Sequence, residues 1–209
     1  MENKIDKWSF GVIAGPCSIE AYEPLYNTAT QLKQLGINML RGGAYKLRTS
    51  VHSFRGLGDA GILHLAKVGE ELGMITVSEC TQTDKVEFMA TNIDILVVGT
   101  RNMHNYPLLE ILGKVSNPVI LKRGIAATYD EWAAAAEYIM EMVIPMWSYV
   151  SVESEPLSPR PVIPLDISAI SVMKNKTGLP VIIDPSHAAG NRDIVPSLHL
   201  RPSLPGRMG

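Results

Sequence analysis

The sequence predicts an α/β protein, a parallel (β/α)8 barrel of the TIM type, and three observations carry that expectation. Short apolar runs alternate with longer amphipathic stretches. The runs are rich in Val and Ile and nearly continuously apolar, as strands covered on both faces must be. Polar residues follow nearly every run instead of clustering at one place. An open doubly wound sheet gathers its polar groups at one switch point, whereas a closed barrel presents them at every strand end.

In chain order the strand runs are GVIAG (11–15), INMLR (37–41), MITVSE (74–79), IDILVVG (93–99), PVILKR (118–123) and PVIIDP (180–185). Between them lie helical patterns such as EPLYNTATQLKQLG, AGILHLAKVGEELG and TYDEWAAAAEYIMEM. Gly36 and Gly73 stand just past two of these patterns, where a left-handed residue ends a helix. Strand–helix alternation at this spacing means βαβ units and a parallel sheet. Two stretches break the pattern, VIPMWSYVSVESEPLSPRPVIP (143–164), with five prolines, and HLRPSLPGRMG (199–209).

Bulk properties narrow the function classes. The 209 residues suit one domain, residues 1–209. A net charge of −2 with 19% charged residues gives no sign of nucleic acid or an anionic membrane as partner. No apolar run reaches the roughly 18 residues that span a bilayer, and the N-terminal MENKIDKWSFGVIAG lacks the long apolar core of a signal peptide. Two cysteines, Cys17 and Cys80, make no disulfide framework, which suits a reducing, cytoplasmic setting.

The chemistry is expected at the carboxyl ends of the strands, where parallel barrels keep their active sites. Six ends deliver polar groups: Cys17-Ser18; Arg41 with Lys46, Arg48, Thr49 and Ser50; Glu79; Thr100-Arg101-Asn102; Lys122-Arg123; and Asp184 with Ser186 and His187. A single loop Lys or Arg is usually just solvated. Basic residues from three strand ends, in a chain of net charge −2, point to a local anion site for phosphate or carboxylate. Cys17 and His187 are soft and borderline donors that suit a divalent transition metal. Two donors do not make a site, and a buried free cysteine remains the plain alternative. His52, His64 and His104 read as structural or solvated.

Longer strings are more specific. LRGGAYKLRTSVHSFRGLG (40–58) closely resembles the phosphoenolpyruvate/erythrose-4-phosphate loop of 3-deoxy-7-phosphoheptulonate (DAHP) synthases. GVIAGPCSIE (11–20), VGTRN (98–102), VILKRG (119–124), LDISAI (165–170) and VIIDPSHAAGNRD (181–193) resemble the same family in the same order, in its short type Iβ branch. The resemblance covers 11–142 and 165–198. It implies condensation of phosphoenolpyruvate with erythrose 4-phosphate and water to DAHP and phosphate, the first step of aromatic amino acid synthesis. It implies a divalent metal of the Mn, Fe, Co or Zn class and a homo-oligomer. By the same resemblance, Cys17 and His187 match two of four metal ligands. Arg41, Lys46, Arg101 and Lys122 match the phosphoenolpyruvate ligands, and Arg48, Thr49 and Ser50 the erythrose 4-phosphate loop. Lys46, Cys17 and His187 are the catalytic candidates. Leu47 and Val51 stand where the family often has proline, which would fix φ in that loop.

The chain departs from the family in two places. The remaining family ligands, a Glu and an Asp, come after the His187 motif, and the sequence ends before them. Ahead of LDIS the family has a sixth-strand segment, ILCERGIRTFE-x-ATRNT, where this chain has 143–164. Allowed codons for Ile144–Pro164, read one nucleotide earlier, spell NPNVVICERG followed by IRTFEPATRNT. The same shift turns 199–209 into SLAAVAAGADG, which resembles the family's approach to its eighth strand. Met146, Trp147 and Met208 each have a single codon, so both runs fit one frame with little freedom. The expectation is therefore two out-of-frame segments, 143–164 and 199–209, a garbled sixth strand, a missing eighth, and no barrel strand within 143–164. Three rival readings accompany the synthase: a catalytically dead remnant, the sister 3-deoxyoctulosonate-8-phosphate synthase, and a Schiff-base aldolase using Lys46 or Lys122.

Overall fold

The computed structural model describes residues 11–48, 50, 52–140, the backbone of 146–150, 166–189, 193 and 195. The chain divides into two compact units, Met1–Val98 with Lys114–Val119, and Gly99–Gly113 with Ile120–Gly209.

The first unit holds β1 (Ile13–Ala14), α1 (Tyr22–Gln34), β2 (Met39–Arg41), α2 (Asp59–Leu72), β3 (Ile75–Glu79), α3 (Val86–Asn92) and β4 (Ile95–Val98). The strands run parallel in sequential order, with registers Ile13↔Met39, Leu40↔Thr76 and Val77↔Ile95. A doubly wound sheet would have broken that order at its switch point; sequential addition is the barrel pattern the sequence predicted. α1 and α2 bury one stripe each, Leu25 and Ala29 on the first and Ile62, Leu65 and Val68 on the second, and Leu40, Val77 and Leu96 of the strands are buried as well. Gly36 and Gly73 carry φ of +80° and +58°, the left-handed cap expected of them. At the amino ends of β3 and β4, Asp94 Oδ2 accepts from both the Thr76 amide and its hydroxyl at 2.8 Å, which satisfies polar groups that the strands leave inside.

The second unit holds α4 (Tyr106–Leu112), most of β5 (Val119–Lys122), α5 (Tyr129–Met140), β6 (Met146–Val150), α6 (Ser168–Thr177), β7 (Val181–Ile183) and α7 (Pro185–Ala189). Its core is Leu108, Leu109 and Leu112 of α4, Ile120 and Leu121 of β5, Trp132, Ala135, Ala136 and Ile139 of α5, and Met173 of α6. Trp132 is fully buried, and its indole N–H donates to the Leu121 carbonyl at 3.2 Å, so the largest core side chain leaves no polar atom unmatched. No helix among the described residues is long and apolar enough to cross a membrane.

One expectation is corrected. The backbone of Met146–Val150 forms a strand and pairs in parallel with β7, Ser148↔Val181 and Val150↔Ile183. The five prolines that argued against a strand are Pro145, Pro156, Pro159, Pro161 and Pro164, and all lie outside those five residues. Every ladder N–H that β6 needs is therefore present. Residues 143–145, 151–164 and 199–209 lie outside the described residues.

Candidate active site

The first unit gathers its polar groups at the carboxyl ends of β1, β2 and β3. Cys17 follows β1 and is exposed. Arg41 closes β2 and is half-buried. The chain then turns through Gly42-Gly43 to Lys46. A Cβ on Gly43 would lie 2.5 Å from the Cys17 carbonyl and 2.2 Å from Lys46 Cε, so the turn can press against both only as glycine. The Ile19 amide donates to the Gly43 carbonyl at 2.9 Å, tying the loop after β1 to the loop after β2.

Lys46 lies with its Nζ 3.4 Å from Glu79 Oε2, the last residue of β3; their side chains are 9% and 23% exposed. The pair holds a nearly buried ammonium at the carboxyl end of β3, where an isolated charge would be costly. Arg48 reaches back to Ser18, donating from its guanidinium to Oγ at 2.9 Å, and donates from Nε to the Phe54 carbonyl at 3.1 Å. Ser50 is exposed and accepts on Oγ from the His52 amide. Thr49 and Val51 lie outside the described residues. The same loop is held at its base by Tyr45, whose hydroxyl donates to Asp59, the first residue of α2; Lys85 reaches that carboxylate at 2.9 Å. Burial, reinforced by the Asp59 carboxylate, pushes the Tyr45 hydroxyl up to about 12.

The second unit carries Arg101, exposed in the short turn Thr100–Asn102, and Lys122, the last residue of β5. Lys122 Nζ donates to Asp184 Oδ2 at 3.0 Å. The same oxygen accepts from Nδ1 of His187 in α7. Asp184 Oδ1 accepts from the His187 backbone N–H at 3.1 Å, so the carboxylate also caps the first turn of α7. Asp184 is 4% exposed, Lys122 15% and His187 33%. Beside them Arg123 donates to Asp166 at 3.0 Å and to the Ala127 carbonyl at 2.7 Å. Its guanidinium lies over the Tyr129 ring, 4.6 Å from the centroid, and Tyr129 donates to Asp166 at 2.6 Å. Burial works against ionisation of Asp166, but hydrogen bonds from Ser168, Tyr129 and Arg123 outweigh it and hold the carboxyl below its usual range.

Within the first unit Lys46 meets Glu79, and Arg48 meets Ser18; within the second, Lys122 and His187 meet on one carboxylate. Cys17 belongs to the first unit and His187 to the second. Among the described residues no group of three or more His, Cys, Asp and Glu side chains gathers as a metal site. His64 is half-buried on α2, edge-on to Tyr22, while His52 and His104 are exposed. Sequence reasoning placed Glu79 and Asp184 at strand ends without giving either a task, and overlooked Asp166. The signal for Asp184 was present: an Asp just after an apolar strand, three residues before a His, is an N-cap spacing.

Comparison with known proteins fits this arrangement. The profile of the DAHP synthetase I family matches residues 6–203. Phospho-2-dehydro-3-deoxyheptonate aldolase of Thermotoga maritima is 40% identical over 197 residues, covering 92% of this chain and 57% of its own length. Its crystal structure superposes with a TM-score of 0.85 at 38% identity over 90% of this chain and 55% of that one. The 2-dehydro-3-deoxyphosphooctonate aldolase of Bordetella petrii is 26% identical over 90% of this chain. The chain thus spans little more than half the length of its Thermotoga relative, and over that span it has the parallel (β/α) barrel fold. By profile, by identity and by fold, the chain belongs to the DAHP synthetase I family.

Proposed function

We propose that this protein condenses phosphoenolpyruvate with erythrose 4-phosphate and water, giving DAHP and phosphate. The observation that carries the reading is positional. Arg41 and Lys122 close their strands, and Cys17, Lys46, Arg101 and His187 each follow a strand within five residues. Each sits in a motif resembling the family's, in a chain 40% identical to the Thermotoga aldolase. The lower identity to the phosphooctonate aldolases favours the seven-carbon product over the eight-carbon one.

In this reading Arg41, Lys46, Arg101 and Lys122 bind the phosphate and carboxylate of phosphoenolpyruvate. Arg supplies a two-pronged fork and Lys a point charge. Arg48, Thr49 and Ser50 hold the phosphate of the aldose. Holding two phosphorylated reactants in fixed relation removes much of the entropic barrier to carbon–carbon bond formation. Lys46, ion-paired with Glu79, is placed to give a proton to the aldehyde oxygen as the new bond forms.

Cys17 and His187 are the proposed ligands of a divalent ion of the Mn, Fe, Co or Zn class. The donor chemistry fits: a thiolate, and an imidazole whose Nδ1 is held by a carboxylate, which puts the lone pair on Nε2. Such an ion, when bound, would polarise the aldehyde carbonyl or activate water. The Schiff-base alternative is disfavoured, since Lys46 and Lys122 both lie in ion pairs, the posture of fixed cations and not of neutral amine nucleophiles.

The test is product formation from the two substrates with and without added divalent metal, and with a chelator. Metal-dependent release of phosphate that requires both substrates is expected. Trapping of the substrate by borohydride, with indifference to chelator, would overturn the reading. Within it, Arg101→Ala should raise the phosphoenolpyruvate requirement by about 10–150-fold, the equivalent of one charge-assisted bond worth roughly 1.5–3 kcal/mol; unchanged saturation kinetics would remove Arg101 from the site.

A further inference from the structure

Asp184 stands where two tasks of the second unit meet: the carboxylate that holds the His187 ring also holds the Lys122 ammonium. Its carboxylate is almost wholly buried and its Oδ2 accepts from two donors, Lys122 Nζ at 3.0 Å and His187 Nδ1. A carboxylate is an acceptor only, so Nδ1 must be the protonated nitrogen of His187. The backbone N–H of His187 donates to Oδ1 at 3.1 Å, which fixes the residue at its main chain as well as at its ring. Lys122 ends β5, Asp184 directly follows β7, and His187 sits in α7, so one side chain ties the end of β5 to the turn after β7 and to α7.

We propose that Asp184 is a positioning residue that links the anion-binding cation to the metal-type donor. One oxygen sets the His187 tautomer, with the proton on Nδ1 and the lone pair on Nε2, and the same oxygen aims the Lys122 ammonium. The two donors share one acceptor. Drawing Lys122 towards a substrate anion leaves more of that oxygen's charge for the Nδ1 proton, which makes Nε2 a better donor to a cation. Loading His187 with a cation draws the Nδ1 proton harder onto Asp184 and loosens the hold on Lys122. Anion and cation therefore favour each other's binding, and by linkage the factor is the same in both directions. The inference rests on the functional reading given above for Lys122 and His187.

The test uses the full chain with Asp184→Asn and Lys122→Met, each first checked for a cooperative melt. The first readout is the nitrogen chemical shifts of the His187 ring without ligand, which report the tautomer directly. Wild type is expected to carry the proton on Nδ1 and Asp184→Asn to move it to Nε2. The second is Zn(II) affinity by competition with a chromophoric chelator, with and without phosphoenolpyruvate. Asp184→Asn should weaken Zn(II) by about 10–100-fold, the usual cost of losing a carboxylate behind a ligating histidine. Phosphoenolpyruvate should tighten Zn(II) in wild type, and this tightening should vanish in Lys122→Met. Should Asp184→Asn fail to fold, Lys122→Met alone decides, because it must shift the Nδ1 proton resonance and abolish the tightening. A wild type that binds both probes, with tautomer and affinity unchanged in the variants, overturns the role of Asp184 and leaves the functional reading standing. A wild type that binds neither probe overturns the functional reading, and the linkage with it.

Discussion

Carboxylates at the strand ends of this chain differ in what they hold, and single substitutions separate them. Glu79 faces Lys46 in the first unit, with both side chains largely withdrawn from water. Glu79→Gln leaves the ammonium without its counter-charge, so the loop after β2 should lose order around Lys46. Stability is expected to fall by about 1–3 kcal/mol, since a group less than fully buried retains some hydration; urea denaturation with an unchanged slope would measure it. Asp166 offers a pH test. Its carboxyl is held below the ordinary value of 3.8, so it stabilises the fold at higher pH, and that contribution is lost as pH falls through its lowered folded-state value. Wild type should therefore outlast Asp166→Asn at neutral pH, by roughly 1–3 kcal/mol, and the lead should shrink in acid below 3.8. A lead that stays constant into acid would mean the carboxylate charge contributes nothing to the cluster of Arg123, Tyr129 and Ser168.

Elements carry the second kind of prediction, and they also mark how far the sequence could be read. Trp132 anchors α5 against β5 with no exposed surface, so Trp132→Ala should cost about 3–5 kcal/mol by cavity formation. A loss below roughly 1 kcal/mol in equilibrium unfolding would mean that the helix repacks. All six strands read from apolar runs are present, trimmed by one or two residues at their ends, because a buried parallel strand has to be apolar on both faces and little else is. α1, α2 and α5 were legible from their stripes. The shorter α3 and α4, of seven residues each, offer too few turns for a period to emerge. β6 is hidden in the sequence by the prolines around it, Pro145 directly before it and four more after it. The placement of the cations after their strands was legible, since a basic residue after an apolar run is conspicuous. Their carboxylate counterparts were not: which acid meets which base depends on strands distant in sequence, such as Lys122 and Asp184, 62 residues apart.

For the whole molecule the decisive segment is 144–164. We propose that it is out of frame with its surroundings, as its alternative reading NPNVVICERGIRTFEPATRNT suggests. In that reading Val, Val, Ile and Cys fall at positions 147–150, within the five residues whose backbone forms β6. The fold thus sets a strand where four of the five restored residues would be apolar, as suits a parallel strand beside β7. The residues present, Met146, Trp147, Ser148, Tyr149 and Val150, include a serine and two large aromatics. A strand of wrong volume and polarity in a packed layer typically costs 1–3 kcal/mol for each misfit. Restoring the frame across 144–164 should therefore stabilise the protein by roughly 2 kcal/mol or more, and at about 2–4 °C per kcal/mol for a chain of this size the melting midpoint should rise by about 4–8 °C or more. The restored segment also returns an arginine, in CERG, which by the family resemblance serves substrate phosphate. Phosphoenolpyruvate should accordingly raise the midpoint further in the restored chain than in this one, by mass action on the native state. Equal midpoints for the two chains, with and without the ligand, would show that β6 tolerates its present residues and would remove the argument for a shifted frame.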